Sequence, residues 1–408
     1  MVSKEGYAWR RALSRKISAC KNEEIRASYP PMDRQFFFEY LKTCEDQVLQ
    51  FVNHSTAAGF FKPPILQQAV WTYIERRAKR LRPAVLLMAA GCTGGPAKEK
   101  QAIPAAAGVE IFHTWTLVHD DIIDNDNMRR GKPTAHVEAT ETARKRLSMP
   151  SDLAVEFGRD VAMLAGDMQH GWSVTAFADA AIESDVDPAI VLRIIRCLQS
   201  YVLANLICGE TLDVQYGMTH AIEARDLSEK VIEKMLWFKT GVLYEFAGWA
   251  GAVIGCGAYV PIDMKQPKSP TERAVTAIRS FTSHCGTAFQ LQDDILGVVG
   301  DEEDLGKPVG SDIREGKQTV IVHEALKNAT PTQKRRILAV LGNKQASARD
   351  VSDVTAMFRD LGGINRANDR ARRYVEKALK QLVHIPEGKY LPQGGAQAQE
   401  MRFQQHPW

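Results

Sequence analysis

From Glu110 to Gly131 the chain reads EIFHTWTLVHDDIIDNDNMRRG, and four aspartates, at 120, 121, 124 and 126, fall within seven residues. On a helix, Glu110, His113, Leu117, Asp120 and Asp124 share one face, because they repeat at intervals of three and four. Asp120 and Asp124 would then stand side by side. Two carboxylates about 5 Å apart repel by about 3 kcal/mol at an effective dielectric of about 20. Something cationic should offset that repulsion. Oxygen donors suit a hard divalent ion, and Mg2+ takes one or two carboxylates and fills its octahedron with water and phosphate oxygens. Arg129 and Arg130 follow at once, and guanidinium forks match phosphate oxygens. Such a set makes sense around a metal-bound polyphosphate. The competing reading is a solvated acidic turn that pairs with its own arginines.

A second acidic set lies far downstream, in FQLQDDILG from Phe289 to Gly297. Its aspartates, Asp293 and Asp294, end an apolar helical pattern. They lead into a glycine-punctuated stretch, DEEDLGKPVGSDIREGK, that carries Lys307 and Lys317. Two helices presenting paired aspartates toward one cavity could clamp metal ions around a diphosphate, an electrostatic use of metal. Two further pieces are cationic. Arg77, Lys79, Arg80 and Arg82 crowd ahead of Pro83, a pattern that is otherwise a solvated basic face. Lys239 and Thr240 sit in the apolar run WFKTGVL, where a lysine either does chemistry or snorkels to the surface.

These side chains need rigid carriers, and the patterning supplies helices. Ile103 to Asp124, Asp160 to Phe177, Ala189 to Tyr216, Val231 to Ile254 and Thr271 to Gly297 carry apolar residues at mixed three and four spacings. Alternating strand patterns and Asn-Gly hairpin signals are nearly absent. Breaks are expected at Pro63-Pro64, Gly94-Gly95-Pro96 and Pro261 to Pro270, with interruptions at the polar insert Glu138 to Asp152 and at Gly300 to Gly316. No internal repeat is visible. The expected class is all-α.

Composition narrows the partners. The 408 residues, 45% hydrophobic and 25% charged, exclude disorder throughout, collagen and disulfide miniproteins. Lys+Arg 52 against Asp+Glu 49 gives +3, too little to indicate nucleic-acid binding. Seven cysteines with no CxxC pair read as reduced thiols in a reducing compartment, so a cytoplasmic location is expected. The basic opening MVSKEGYAWRRALSRKISACK lacks the apolar core of a secretory signal, though organelle targeting stays open beside a solvated helical extension. The best membrane candidate, Leu243 to Tyr259, carries Glu245 and falls short of the roughly 20 apolar residues a span needs. A buried helix is the better reading, and no transmembrane segment is expected.

The runs HDDIIDNDNMRRGKPT, FQLQDDILGVVGDEEDLGKPVGSDIREGK, KRLRP and KTG together resemble the trans-isoprenyl diphosphate synthases, short-chain prenyltransferases that make farnesyl and geranylgeranyl diphosphate. The resemblance spans about Phe36 to Ile385, leaving 1–35 as an N-terminal extension and 386–408 as a flexible tail rich in Gln and Gly. It implies a single all-α domain of antiparallel helices around a deep central cavity, usually as a homodimer. Length alone, at roughly 150 residues per domain, allows two or three domains. Splitting the chain would pull apart segments that run from Lys79 to Lys317.

By that similarity, Asp120 and Asp124, supported by Asp121, would ligate Mg2+ at an allylic diphosphate. Asp293, with Asp294 close by, would hold a further ion, for three ions per site with Mn2+ as a substitute. Arg129, Lys239 and Lys307 would contact the allylic diphosphate, whether dimethylallyl, geranyl or farnesyl. Lys79, Arg82, His113 and Arg130 would hold isopentenyl diphosphate, while Thr240 and Gln290 match polar positions near the developing cation. The implied reaction is ionisation, condensation and elimination, which adds one C5 unit and needs no side-chain nucleophile.

Product length has its own candidates. Trp115 sits five residues before Asp120, where relatives with short products carry a bulky aromatic; Phe112 lies almost a turn deeper, and Thr116, beside Trp115, is small. The expectation is a C15 or C20 product, with C20 ahead because only one of the two adjacent positions is bulky. Simple core packing of Trp115 is the alternative. Several features depart from the family pattern: Arg77-Ala78 replaces a glycine pair, Gly297 stands where many relatives have a third aspartate, and the C-terminus lacks a basic ending. Rival readings are a class I terpene cyclase, a regulatory subunit of a heteromeric synthase and a phosphohydrolase using His119-Asp120. A cyclase does not need the second anion set, and a hydrolase gives no role to Asp293 or Lys307.

Overall fold

The computed structural model describes residues 34–218, 227–300 and 310–385. Lys307, the N-terminal extension up to residue 33 and the tail from 386 lie outside the described residues. In chain order the helices are α1 (Arg34–His54), α2 (Pro64–Trp71), α3 (Leu81–Gln101), α4 (Ile103–Asp124), α5 (Ala135–Leu147), α6 (Ser151–Ile182) and α7 (Pro188–Cys197). They continue with α8 (Leu203–Met218), α9 (Glu229–Leu236), α10 (Val242–Cys256), α11 (Pro270–Val299) and α12 (Ser311–Glu315). The last four are α13 (Val320–Asn328), α14 (Pro331–Val340), α15 (Ala348–Asp360) and α16 (Gly363–Leu379). The protein is all-α. The only sheet among the described residues is a hairpin of β1 (Met128–Arg129) and β2 (Lys132–Pro133).

Two compact units divide the chain, one comprising 34–199, Phe246–Arg279 and 382–385, the other Ser200–Glu245 and Ser280–Gln381. In the first unit, α4 is the central rod. Pro104 opens it, where a missing N–H costs no helical hydrogen bond. Its N-terminal half buries the small residues Ala105, Ala106, Ala107 and Gly108. A Cβ on Gly108 would sit 2.7 Å from the Phe177 ring of α6, so glycine is what lets these two helices approach. The helix stops at Asn125, whose φ of 56° is the left-handed conformation that asparagine tolerates at a C-cap. The metal-ligand candidates therefore occupy its last turns.

In the second unit, Leu291, Ile295 and Val298 of α11 pack with Ile232, Met235, Ile321, Ile337 and Phe358 in one apolar cluster. That burial fixes the rotation of α11, and with it the direction in which Asp293 and Asp294 leave the helix. Two segments, Leu198–Val202 and Trp237–Gly241, are π-helical. An extra residue in a helical turn is often a device of functional sites, and the second segment carries Lys239 and Thr240.

Two expectations, the polar insert and the Gly94 break, need correction. The polar insert read from Glu138 to Asp152 is mostly α5. Its inner face is Ala135, His136, Ala139, Thr140 and Ala143, small or polar residues that leave a weak apolar period. Glu141 pairs with Arg144 at 2.9 Å and Lys145 at 3.3 Å on its outer face. At Gly94-Gly95-Pro96 the chain kinks at Gly95 and stays within α3. The candidate Leu243 to Tyr259 is largely α10, with Leu243, Phe246, Trp249, Val253 and Ile254 all at 2% exposure or less. By length and composition one other stretch, Pro188–Gly217, is apolar enough to cross a membrane, a weak criterion that buried helices also meet. The six cysteines among the described residues are free thiols.

Candidate active site

At the end of α4 a carboxylate oxygen of Asp120 and one of Asp124 lie within 4.8 Å of each other. Both side chains are half-buried. Asp121 behaves differently. It is fully buried, accepts the Tyr73 hydroxyl on one oxygen and receives Arg129 Nε at 2.5 Å on the other. Burial pushes its carboxyl up, opposed by Arg129 and Tyr73. Asp121 thus holds Arg129 in place and does not share the face of Asp120 and Asp124. The same guanidinium lies 3.4 Å from Asp120 and 3.8 Å from Asp126. Arg130 and Gly131 turn the hairpin with φ of 56° and 72°. Positive φ at both central residues marks a type I′ turn, at which glycine carries no steric penalty and arginine does.

The segment from Tyr73 to Arg82 has two faces. Tyr73, Arg76 and Arg80 point inward at 1%, 6% and 3% exposure, which overturns the plain basic-face reading for Arg80. Arg80 is paired with Glu110, lies 3.4 Å from Glu45 and donates to the carbonyls of Ile74 and Arg76. Lys79 and Arg82 stay half-buried, and Arg77 is exposed. Arg82 Nη1 donates to His113 Nε2 at 2.9 Å, so that ring nitrogen is an acceptor. Burial, with Arg82, Arg130 and Arg129 near it, holds His113 well below the usual histidine range and keeps it neutral.

One turn deeper, Phe112 and Trp115 meet edge to face with ring centroids 4.9 Å apart. Trp115 also lies 5.0 Å from the His170 ring of α6 and 5.7 Å from His119. Thr116 turns its hydroxyl back to the His113 carbonyl at 2.8 Å.

In the second unit, Lys239 Nζ lies 2.7 Å from Asp213 and 2.9 Å from Glu210, both on α8. Thr240 Oγ1 donates to Gln290 Oε1 at 2.6 Å, and Gln290 Nε2 donates to Asp294 Oδ1 at 3.0 Å. Among the described residues, Asp294 Oδ2 is buried with no hydrogen-bond partner. Burial lifts the Asp294 carboxyl to about 7, and Asp312, Asp213 and Asp293 push it further against the Gln290 hydrogen bond. A buried, crowded carboxylate with an open oxygen suits a cation. A Cβ on Gly297 would sit 2.1 Å from Asp312 Oδ2. Asp312 therefore fills the space that a side chain there would take.

Metal and pH should be linked here with a definite sign. Without metal, the raised carboxyl keeps its proton better folded than unfolded, so metal-free stability is fully present below the ordinary carboxylate range. It declines as pH rises through about 7. A cation bound at Asp294 must displace that proton. The gain in unfolding temperature from a fixed Mg2+ concentration should therefore grow as pH crosses that value, and Asp294→Asn should flatten the trend. Thermal scans with Mg2+ and with EDTA across the range measure both.

Sequence reading overlooked Tyr73, Arg76, His170, Glu210, Asp213 and Asp312. Glu210 and Asp213 had a signal: two acids three apart inside an otherwise apolar helical pattern. The others lie in unremarkable local contexts.

The polyprenyl synthetase family model matches residues 63–358. Geranylgeranyl diphosphate synthase of Saccharolobus solfataricus is 32% identical over 321 residues, covering 79% of this chain and 84% of its own. Geranylfarnesyl diphosphate synthase of Aeropyrum pernix is 35% identical over 325 residues, covering 79% and 89%. Among solved structures, geranylgeranyl pyrophosphate synthase from Corynebacterium glutamicum, complexed with isoprenyl diphosphate and magnesium, has a TM-score of 0.70 at 26% identity. That match covers 88% of this chain and 97% of that one.

Proposed function

Because the chain belongs to the polyprenyl synthetase family, we propose that it condenses isopentenyl diphosphate with an allylic diphosphate to give an all-trans prenyl diphosphate of C15 to C25, C20 first among them. It is a prenyltransferase. The observation that carries the reading is the ordered pair of carboxylates, Asp120 and Asp124, backed by a guanidinium locked on Asp121. Neither a cyclase nor a regulatory subunit is favoured by relatives that are synthases by name and by a chain that keeps both aspartate motifs.

Asp120 and Asp124 would hold Mg2+, with Asp293 and Asp294 supplying ligands for a further ion; their hard oxygen donors fit that ion and would accept Mn2+. Bound there, the metal supplies positive charge to the leaving diphosphate. Arg129 adds fixed charge to that group, and by family similarity Lys239 and Lys307 would do the same. As the allylic C–O bond breaks, its electron pair leaves with the diphosphate. Lys79, Arg82 and Arg130 hold the diphosphate of isopentenyl diphosphate so that its alkene attacks the allylic carbon and forms the new C–C bond. His113, neutral and accepting from Arg82, orients that guanidinium. By family similarity Thr240 and Gln290, hydrogen-bonded to each other, would stand near the developing cation. A proton then passes to a diphosphate oxygen and the double bond re-forms.

Trp115, with Phe112 and His170 behind it, would floor the cavity for the growing chain. Trp115→Ala should lengthen the product by at least one C5 unit, and an unchanged product distribution removes Trp115 from that role. Met163 and Leu164 stand 49% and 57% exposed on α6, apolar surface that a homodimer would cover. Sedimentation at micromolar concentration reads the dimer directly, and a lone monomer would reject it. The activity is tested with labelled isopentenyl diphosphate, each allylic diphosphate and Mg2+, with products resolved before and after phosphatase. Elongated diphosphates are expected. Hydrocarbons formed without isopentenyl diphosphate would indicate a cyclase instead.

A further inference from the structure

We propose that Arg76 is a positioning residue that sets Arg129 for diphosphate binding. The inference rests on the reading above. Arg129 sits in a hairpin with two residues per strand, too short to be stable alone. Its geometry must come from outside. Arg76 supplies it: Nη1 donates to the Arg129 carbonyl at 3.1 Å, and Nη2 donates to the Pro133 carbonyl at 2.5 Å. One planar guanidinium thus ties both strands of the hairpin. Glu138 at the start of α5 holds Nη2 at 2.7 Å and balances the charge. The guanidinium also lies 4.9 Å from the Tyr73 ring, whose hydroxyl donates to Asp121.

Arg129 is consequently fixed at both ends. Its backbone is held by Arg76, and its side chain by Asp121. Arg76 itself is 6% exposed, so any effect on a diphosphate has to pass through the hairpin. A lysine cannot reproduce the arrangement, because a single ammonium does not span two carbonyls and a carboxylate in the planar fork geometry. The alternative is a merely structural ion pair that helps start α5, with no bearing on ligand affinity.

A double-mutant cycle separates the two. Inorganic pyrophosphate with Mg2+ is titrated calorimetrically into the full chain as wild type, Arg76→Gln, Arg129→Gln and the double variant. Arg76→Gln should weaken binding about tenfold. Once Arg129 is gone, the same change should add little, so the losses do not multiply. Glu138→Gln should weaken binding in the same direction by a smaller factor. Should Arg76→Gln melt below the assay temperature, Arg76→Lys replaces it with the same expectation. Wild-type affinity in a folded Arg76 variant, losses that multiply, or a fall in melting temperature alone overturns the inference and leaves the prenyltransferase reading standing. Failure of the wild type to bind pyrophosphate overturns both.

Discussion

Asp120→Asn should lower kcat/KM by about a thousandfold, as expected when several kcal/mol of metal-derived charge stabilisation is lost. The substitution keeps the side-chain shape and removes the negative charge. Arg129 retains Asp121 and Asp126, so its anchorage survives the change. Activity should fall for want of metal, and the Mg2+ concentration giving half-maximal rate should rise. Initial rates across a Mg2+ titration, beside a thermal melt, separate that from misfolding. Unchanged turnover with unchanged metal dependence would remove Asp120 from the ligand set.

Arg80→Met should destabilise the protein by about 3–5 kcal/mol, the range for breaking a buried ion pair from one side. Arg80 is 3% exposed and Glu110 2%, so the orphaned carboxylate has no route to solvent. The Ile74 and Arg76 carbonyls also lose their donor. Glu110→Gln in the same chain should restore part of the loss, because an amide tolerates burial better than an unpaired charge. Urea unfolding of the two variants measures this, and a change below about 1 kcal/mol would show that the pair is dispensable. Arg80 lies in the same stretch as Lys79 and Arg82, yet its role is to shape the segment on which they are displayed.

That contrast explains what could be read in advance. The span Ile103 to Asp124 is legible because apolar spacing, Pro104 and the polar stretch after Asp124 agree at three levels. α5 was not legible: its inner face of alanines and a threonine gives too little apolar contrast to announce a helix. Both aspartate motifs announce themselves by residue type and spacing. Tyr73 and Arg76 do not, since their partners Asp121, Arg129 and Glu138 lie 48 to 62 residues away and only folding brings them together. The π-helical turn at Trp237–Gly241 likewise has no local signature, because one extra residue in a turn leaves the apolar period nearly unchanged. Asp121 was the instructive case. By family similarity it stands as a support for the metal ligands, whereas burial turns it toward Tyr73 and away from solvent.

The central claim is that bond cleavage precedes bond formation, driven by charge arrayed against the departing diphosphate. Replacing hydrogen by fluorine at C2 of the allylic substrate tests it most directly, because fluorine destabilises an allylic cation while barely altering size. Single-turnover rates with the fluorinated and ordinary geranyl diphosphates should differ by at least about a hundredfold, equivalent to about 3 kcal/mol in the barrier, with binding of the two nearly equal. Equal rates, or a faster fluorinated substrate, would mean that no cation forms and would contradict the account.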